Sequence, residues 1–246
     1  MVILKSREEM KKIVIAGMLT IAVSLFAEVN MNKTEVVDSI GLAGFKKSLS
    51  VIDKAAAGRW YLLRADRRKF NKVRGDEFEI DDAITSAYSK FTTKVKEESF
   101  VGKASVLRLG AEFSKYDFKK KQFPISAMSK DSYISFSGSK LVGGGGMQLS
   151  FNNVNDTHSF LPMVKDDAKK FMKARKDSVG NIDRRVTAKY SYIIKSIESP
   201  AESINSCNER YRGCHVIDDI KVIGHITKLE ILDKDGKVLH TYSDYK

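Results

Sequence analysis

The sequence predicts an α+β fold in which a helical N-terminal part packs on an antiparallel β-sheet or barrel. Between residues 32 and 99, apolar residues recur with the spacing of helix faces. From Phe100 onward, short alternating segments bounded by turn residues indicate strands, with one short helix among them. We therefore expect one continuous globular unit, with a helical region at 28–99 and a mainly antiparallel β region at 100–246.

The first 27 residues have the pattern of a signal peptide. Lys11 and Lys12 precede an apolar run that ends at Ala27 and is too short to span a membrane comfortably. This predicts cleavage after Ala27, a periplasmic or secreted protein, and no transmembrane segment after cleavage. A retained N-terminal anchor is the alternative. Because Glu8 and Glu9 are unusual in a leader, Met10 competes with Met1 as the true start.

Two apolar stripes predict helices in the N-terminal part. Asn32 and Glu35 have the spacing of a capping box, and the stripe that follows is expected to stop at Gly58. Asp81 or Asp82 is expected to cap a later helix. The stripe of that later helix consists of Ile84, Ala87, Tyr88, Phe91 and Val95.

Between these helices, residues 59–74 form a strongly basic segment with a single acid, Asp66. On a helical wheel its apolar residues share one side, and its basic residues share the other with Trp60 and Tyr61. This is either the solvated outer face of a core helix or an anion-binding face. The apolar side is Leu62, Leu63, Phe70 and Val73, and the predicted anion-binding residues are Arg64, Arg67, Arg68 and Lys72.

The second half predicts strands joined by turns. We expect strands at 101–109 and 111–118 around Gly110, a pair at 133–137 and 147–151 joined through four glycines, and a short helix capped by Asp166 or Asp167. The longest strands are expected at 186–195, 220–232 and 237–242, the last two joined by a hairpin turn ending at Gly236. The apolar face of the middle strand changes phase, which predicts a bulge between residues 224 and 228.

Five short pieces of the chain carry a family resemblance: Asp76-Glu77-Phe78, Tyr116-Asp117-Phe118, Phe123-Pro124-Ile125, Leu161-Pro162-Met163 and Arg185-Val186-Thr187-Ala188. In combination they resemble secreted bacterial proteins that carry a domain of unknown function. The resemblance implies a cell-envelope setting and no known activity, so it supplies no catalytic residues.

Cys207 and Cys214 are predicted to form a disulfide, because two cysteines in an exported chain usually pair; free or redox-active thiols are the alternative. Ser137 and Lys140 have the spacing of a nucleophile and base in serine enzymes, but the companion motifs are missing. The histidines lack metal-binding spacing and are expected as satisfied surface or cross-strand groups. We therefore predict no catalytic residue, no metal site and no cofactor.

The net charge of +12 favours partners that are negatively charged. The predicted function is an exported, non-enzymatic binding or structural module of the bacterial cell envelope, acting on an anionic component or a protein partner. An envelope hydrolase with a site assembled from distant residues and a nucleic-acid-binding protein are the alternatives.

Overall fold

The computed structural model describes residues 29–126, 128–129, 131–136, 147–154, 158–198 and 220–245. Several sequence predictions concern segments outside these ranges: the leader at 1–27 with its cleavage site, Ser137–Lys140, the glycine run at 143–146, and the pair Cys207 and Cys214. The described residues form an α+β fold, as predicted, with the helices in the N-terminal part and a mixed, curled seven-stranded sheet after them.

Four α-helices make up most of the N-terminal part. They are α1 (Thr34–Gly44), α2 (Lys54–Ala65), α3 (Arg67–Val73) and α4 (Glu77–Glu97). Aspartates begin three of them, because the side chains of Asp53, Asp66 and Asp76 each accept a hydrogen bond from a backbone N–H of the first turn. Helix α4 therefore starts earlier than Asp81, where the sequence placed its cap.

Helix α1 differs at both ends from the helix that the sequence predicted. Asn32 does not cap α1; its side chain instead exchanges hydrogen bonds with the backbone of Arg108 in the neighbouring strand. The single stripe expected to reach Gly58 is interrupted after Gly44 by a short 3₁₀ turn and a loop. Gly58 lies inside α2 rather than at a helix end, where its Cα faces the backbone of α4.

Helix α4 is the centre of the helical part. Its predicted stripe is confirmed, since four of the five residues are buried and Tyr88 is half-buried. Trp60 and Tyr61 pack against this stripe and are 1% and 6% exposed, so their predicted position on the outer face was wrong. The wheel failed because it treated residues 59–74 as one helix, whereas Asp66 ends α2 and begins α3.

The strands of the main sheet are β1 (Val29–Asn30), β2 (Ala104–Glu112), β4 (Tyr133–Phe136), β5 (Met147–Phe151), β7 (Arg185–Glu198), β8 (Ile220–Leu232) and β9 (Val238–Tyr242). Their order is β1-β2-β7-β8-β5-β4, and β9 also pairs with β8. Most pairs are antiparallel, but β1 with β2 and β5 with β8 are parallel. Helix α1 packs on β7 and β8 and so joins the two parts of the fold.

The longest strands follow the predicted patterns closely. In β7 the residues from Val186 to Ile194 alternate between buried and half-buried. In β8 the register shifts between Ile226 and Lys228, which confirms a bulge in the predicted interval. The hairpin from β8 to β9 is also confirmed, with Gly236 at φ +81° and two backbone N–H groups donating to the Asp233 carboxylate.

A small two-stranded sheet of β3 (Gln122–Pro124) and β6 (Phe160–Pro162) stands apart from the main sheet, next to α5 (Lys165–Ala174). The sequence placed one strand at 111–118, but β2 runs through Gly110 without interruption and ends at Glu112. The chain after Glu112 then turns away and builds the small sheet. Helix α5 begins at Lys165 with Val164 as its N-cap, rather than at Asp166 or Asp167.

Candidate functional site

The predicted anion-binding residues are divided between two helices. Arg64 lies at the end of α2, where it is half-buried and its Nε is enclosed. Arg67, Arg68 and Lys72 lie exposed on α3, and we call these three residues the α3 basic face. The apolar side of the wheel points inward as predicted, with Leu62 and Val73 buried and Leu63 and Phe70 half-buried. Whether the α3 basic face holds an anion stays a prediction.

A groove between the small sheet and α5 combines an apolar floor with a cationic rim, and we call it the α5 groove. Its volume is about 600 Å³, within the size range of small-molecule sites. The floor consists of Tyr116, Phe118, Phe123, Ala168 and Met172. The rim consists of Lys115, Lys165, Lys169 and Arg184.

A tight turn places two of the floor's aromatic rings. The Asp117 carboxylate accepts hydrogen bonds from the backbone N–H groups of Lys119 and Lys120, both at 2.9 Å. Lys121 completes the turn with a positive φ of 53°. The chain therefore doubles back, so that the Tyr116 ring lies 5.0 Å from Phe123 and 5.0 Å from Phe118.

Hydrogen bonds hold the turn that carries Tyr116 and Lys121 to the segment that leads into α5. The Tyr116 hydroxyl donates to the Met163 carbonyl at 2.8 Å, and the Met163 N–H donates to the Lys121 carbonyl at 3.0 Å. The Tyr116 hydroxyl is thus used for positioning, and the tyrosine presents its ring to the groove. Phe118 remains 72% exposed, so its ring adds solvent-accessible apolar surface to the groove.

An aromatic cluster beneath the groove holds α5 in place. The Phe113 ring lies 5.1 Å from Phe123 and 5.2 Å from Phe171 of α5, distances typical of favourable ring pairs. Arg175 follows α5 and is buried, with its guanidinium 4.5 Å from the Phe171 ring centre. Its Nη1 donates to the backbone carbonyls of Asp183 and Arg185, which ties α5 to the start of β7.

Arg184 brings a fixed positive charge to the groove. Its Nη1 donates to the Ser114 carbonyl at 2.8 Å, and the guanidinium lies 5.4 Å from the Phe113 ring centre. The adjacent carboxylate, Asp183, binds Arg185 instead, through two hydrogen bonds of 2.8 and 2.9 Å. These bonds from Arg185 hold the pKa of the Asp183 carboxyl well below its usual range, so Asp183 stays ionised and is paired with Arg185.

The positive charges of the rim lysines are not neutralised by ion pairs in the part of the chain that the structure describes. Over the described ranges, no carboxylate lies within ion-pair distance of Lys115, Lys165 or Lys169. The carboxylates closest in sequence to Lys165 and Lys169 are Asp166 and Asp167, and Asp167 contacts Lys170 at 3.7 Å. The groove therefore combines a concentrated positive field with an apolar interior.

The histidines occupy other parts of the fold. His158 is buried, with its Nε2 3.0 Å from the Asp244 carboxylate and its ring between Tyr242 and Tyr245. This differs from the expected surface position, because the C-terminal residues cover the ring. His225 bonds Asn152 through Nδ1 at 2.9 Å and is satisfied, as expected.

A second cavity, of about 420 Å³, lies where β4, β5 and β8 meet. Its polar lining includes Asp131, Gln148, Asn152 and Lys221. Asp131 is the one carboxylate among the residues that line it. The residues that line this cavity therefore include no pair of converging carboxylates, which is one of the two features that would favour the hydrolase alternative.

Within the described ranges, no group of three or more histidine, cysteine, aspartate or glutamate side chains is arranged to hold a metal ion. The helices described there are all too short or too polar to cross a bilayer.

These features define an α+β protein with a cation-rimmed apolar groove. Residues 53–174 match the model of a family described as Domain of unknown function (DUF4852). The match runs from the N-cap of α2 to the end of α5, and so includes every residue of the α5 groove except Arg184. It confirms the resemblance to proteins with an uncharacterised domain, while secretion stays a prediction. No curated protein and no solved structure matches the chain.

The sequence contained a signal for the groove that the predictions did not use. In α5, Lys165 and Lys169 are four residues apart, and so are Ala168 and Met172, which places each pair on one side of the helix. The segment that lies next to them in the fold has aromatic and charged residues in alternation, Lys115-Tyr116-Asp117-Phe118-Lys119. Periodicity alone could not show that these two segments face each other.

Proposed function

We propose that this protein is an exported, non-enzymatic binding module of the bacterial cell envelope, whose basic surface engages an anionic partner through the α5 groove. The observation that carries the proposal is the apolar floor enclosed by Lys115, Lys165, Lys169 and Arg184. Such a lining favours a ligand that has both an apolar part and a negative charge. It offers no paired acid and base for catalysis, since the floor contributes rings, a methyl group and a thioether.

Electrostatics supports a role at an anionic surface. Each lysine or arginine near a negatively charged membrane contributes about 1 kcal/mol to binding, and less at high salt. Three lysines on one rim, without ion-pair partners in the described ranges, therefore provide a binding energy that single scattered charges do not. The α3 basic face is a second surface of the same sign and is proposed as an additional contact.

Nucleic acid is a second candidate partner, favoured by one observation. Phe118 is exposed beside Lys115, Lys119 and Lys120, and single-stranded nucleic acids bind where bases stack on aromatic rings within a basic groove. The rest of the floor favours a lipid instead. Ala168 and Met172 present apolar atoms, whereas the edges of a base need polar partners.

The first prediction concerns binding to vesicles. Replacing Lys115, Lys165 and Lys169 by Gln should weaken binding to phosphatidylglycerol vesicles by roughly 3 kcal/mol at low salt, at about 1 kcal/mol per charge. Wild-type binding should decrease steeply with added salt, and vesicles of phosphatidylcholine alone should bind weakly. Flotation at several salt concentrations measures both effects.

A variant with the same change in charge is the control. Replacing Arg67, Arg68 and Lys72 of the α3 basic face by Gln should weaken vesicle binding less, since these three residues do not line the α5 groove. A larger loss in this variant than in the rim variant would place the anion site on α3. Binding that neither variant changes would contradict the proposed function, and tighter binding to an oligonucleotide than to vesicles would favour the nucleic-acid candidate.

The second prediction concerns export. The protein recovered from the envelope or medium should begin at Glu28, because the leader ends in Ser24-Leu25-Phe26-Ala27. Intact-mass measurement of the recovered protein checks this. A recovered protein that still contains residues 10–27 would instead support the retained anchor.

A further inference from the structure

We propose that the α5 groove binds a single-chain amphiphile with an anionic head group, carboxylate or phosphate. Its acyl chain lies along the apolar floor and its head group lies among the rim cations. This inference rests on the proposed function and specifies its ligand. One ligand molecule is bound inside the groove, which differs from general attraction of the protein to a charged surface.

The floor is suited to an alkyl chain. Within this floor Phe123 is fully buried, Met172 is half-buried and Phe118 is exposed. A thioether adapts to ligands of different shape, and aromatic rings offer flat apolar contact. Without a ligand, Phe118 is 72% exposed to solvent, so covering it removes apolar surface from water.

The rim is suited to an anionic head group. Lys165 and Lys169 extend from successive turns of α5, and the long stems of lysines can cover a chain while their ammonium groups reach its head. Arg184 is already fixed by its bond to the Ser114 carbonyl, so little flexibility is lost when an anion binds. A guanidinium also matches the geometry of carboxylate and phosphate.

The combination of an apolar floor with a cationic rim disfavours ligands that have only a negative charge or only an apolar chain. Inorganic phosphate would use the rim and leave the floor exposed, and a neutral lipid would bury its chain without neutralising the rim. A cationic amphiphile would meet like charges from Lys115, Lys165 and Arg184. An anionic amphiphile is the ligand that engages both parts of the groove.

Calorimetry below micelle-forming concentrations tests this inference with the full chain. The probes are laurate, dodecyl phosphate, monolauroylglycerol, dodecyltrimethylammonium, inorganic phosphate and a thymidine oligonucleotide. Laurate and dodecyl phosphate should bind at least about tenfold more tightly than the others, and longer chains should bind more tightly than shorter ones, because chain burial contributes. Equal affinity for laurate and inorganic phosphate would overturn the inference.

Two lysine pairs on the same helix supply a matched comparison. Lys165→Gln with Lys169→Gln should weaken laurate binding about tenfold or more. Lys170→Gln with Lys173→Gln removes the same charge from α5 outside the groove lining and should change binding less than about twofold. Equal losses in both variants would show that net charge alone attracts the ligand and would overturn the site.

A substitution in the floor tests the position of the acyl chain. Phe118→Ser removes an exposed ring and leaves the buried cluster intact, so folding, checked by circular dichroism, should be unchanged. Its laurate affinity should decrease and depend less on chain length, whereas Val179→Ser, at another exposed apolar residue, should bind as wild type does. Unchanged affinity in Phe118→Ser would overturn the proposed position of the acyl chain. Vesicle binding without laurate binding would leave the proposed function standing and reject only this ligand.

Discussion

Gly58→Ala is expected to destabilise the protein by about 2 kcal/mol or more, although alanine is the better helix former. A Cβ at position 58 would lie 2.3 Å from the Ile84 carbonyl oxygen and 2.9 Å from the Ile84 Cγ2. The first of these atoms belongs to the backbone of α4 and cannot rotate away, so α2 and α4 must separate. That separation opens the packing around Trp60, which outweighs the gain in helix propensity of about 1 kcal/mol.

Urea unfolding followed by the fluorescence of Trp60, the single tryptophan in the chain, measures this loss. Gly75→Ala is the control, because a Cβ at position 75 meets no heavy atom within 4 Å among the described residues. We expect that control to change the unfolding free energy by no more than about 0.5 kcal/mol. A Gly58→Ala protein as stable as wild type would show that α2 and α4 do not approach as closely as described.

Local patterns were sufficient to predict the regular parts of this fold. The alternation in β7 places its apolar residues in the core, and the broken phase of β8 revealed a bulge before any partner strand was known. The hairpin ending at Gly236 followed from turn chemistry alone. In each case the deciding interactions lie between residues close in sequence or along one strand.

The errors occurred where local patterns permitted more than one structure. The helical stripe continued in phase past Gly44, so periodicity could not reveal the interruption before α2. A stronger signal was Asp53 ahead of Lys54 and three alanines, which has the composition of a helix start. Likewise aspartate is a favoured N-cap residue, so Asp66 could have marked a helix start. The helical wheel drawn across Asp66 instead placed Trp60 on the outer side.

The α5 groove and the parallel pairing of β5 with β8 could not be predicted from the sequence, because both depend on contacts between distant segments. Tyr116 reaches Met163 across 47 residues, and Arg184 reaches Ser114 across 70. These two hydrogen bonds place the apolar wall and one rim charge on the same groove. The anion-binding site was predicted in the basic segment at 59–74 because the charges of that segment lie close together in sequence. The charges of the rim come from three separate stretches of the chain.

Phe91→Ala is expected to have the largest effect of any single substitution proposed for this protein, a loss of about 3–5 kcal/mol in unfolding free energy. Phe91 is 0% exposed at the centre of α4, and four other aromatic rings surround it. The Phe91 ring centre lies 5.8 Å from that of Phe45, 5.9 Å from those of Trp60 and Tyr61, and 6.4 Å from that of Tyr88. Removing it leaves a cavity that these rigid rings cannot close, so both transfer energy and ring contacts are lost.

Phe78→Ala is the matched control, since it is the same substitution in the same helix at a residue that is 77% exposed. It should change stability by about 0.5 kcal/mol or less. Phe91→Leu should fall between the two, because it keeps apolar volume and loses the ring pairs. Because domains of this size are typically stable by about 5–15 kcal/mol, Phe91→Ala should stay largely folded at low temperature and unfold at a much lower urea concentration. If Phe91→Ala and Phe78→Ala unfolded at the same urea concentration, the aromatic cluster would not be the centre of the helical part, and α4 would be held to the neighbouring helices by other contacts.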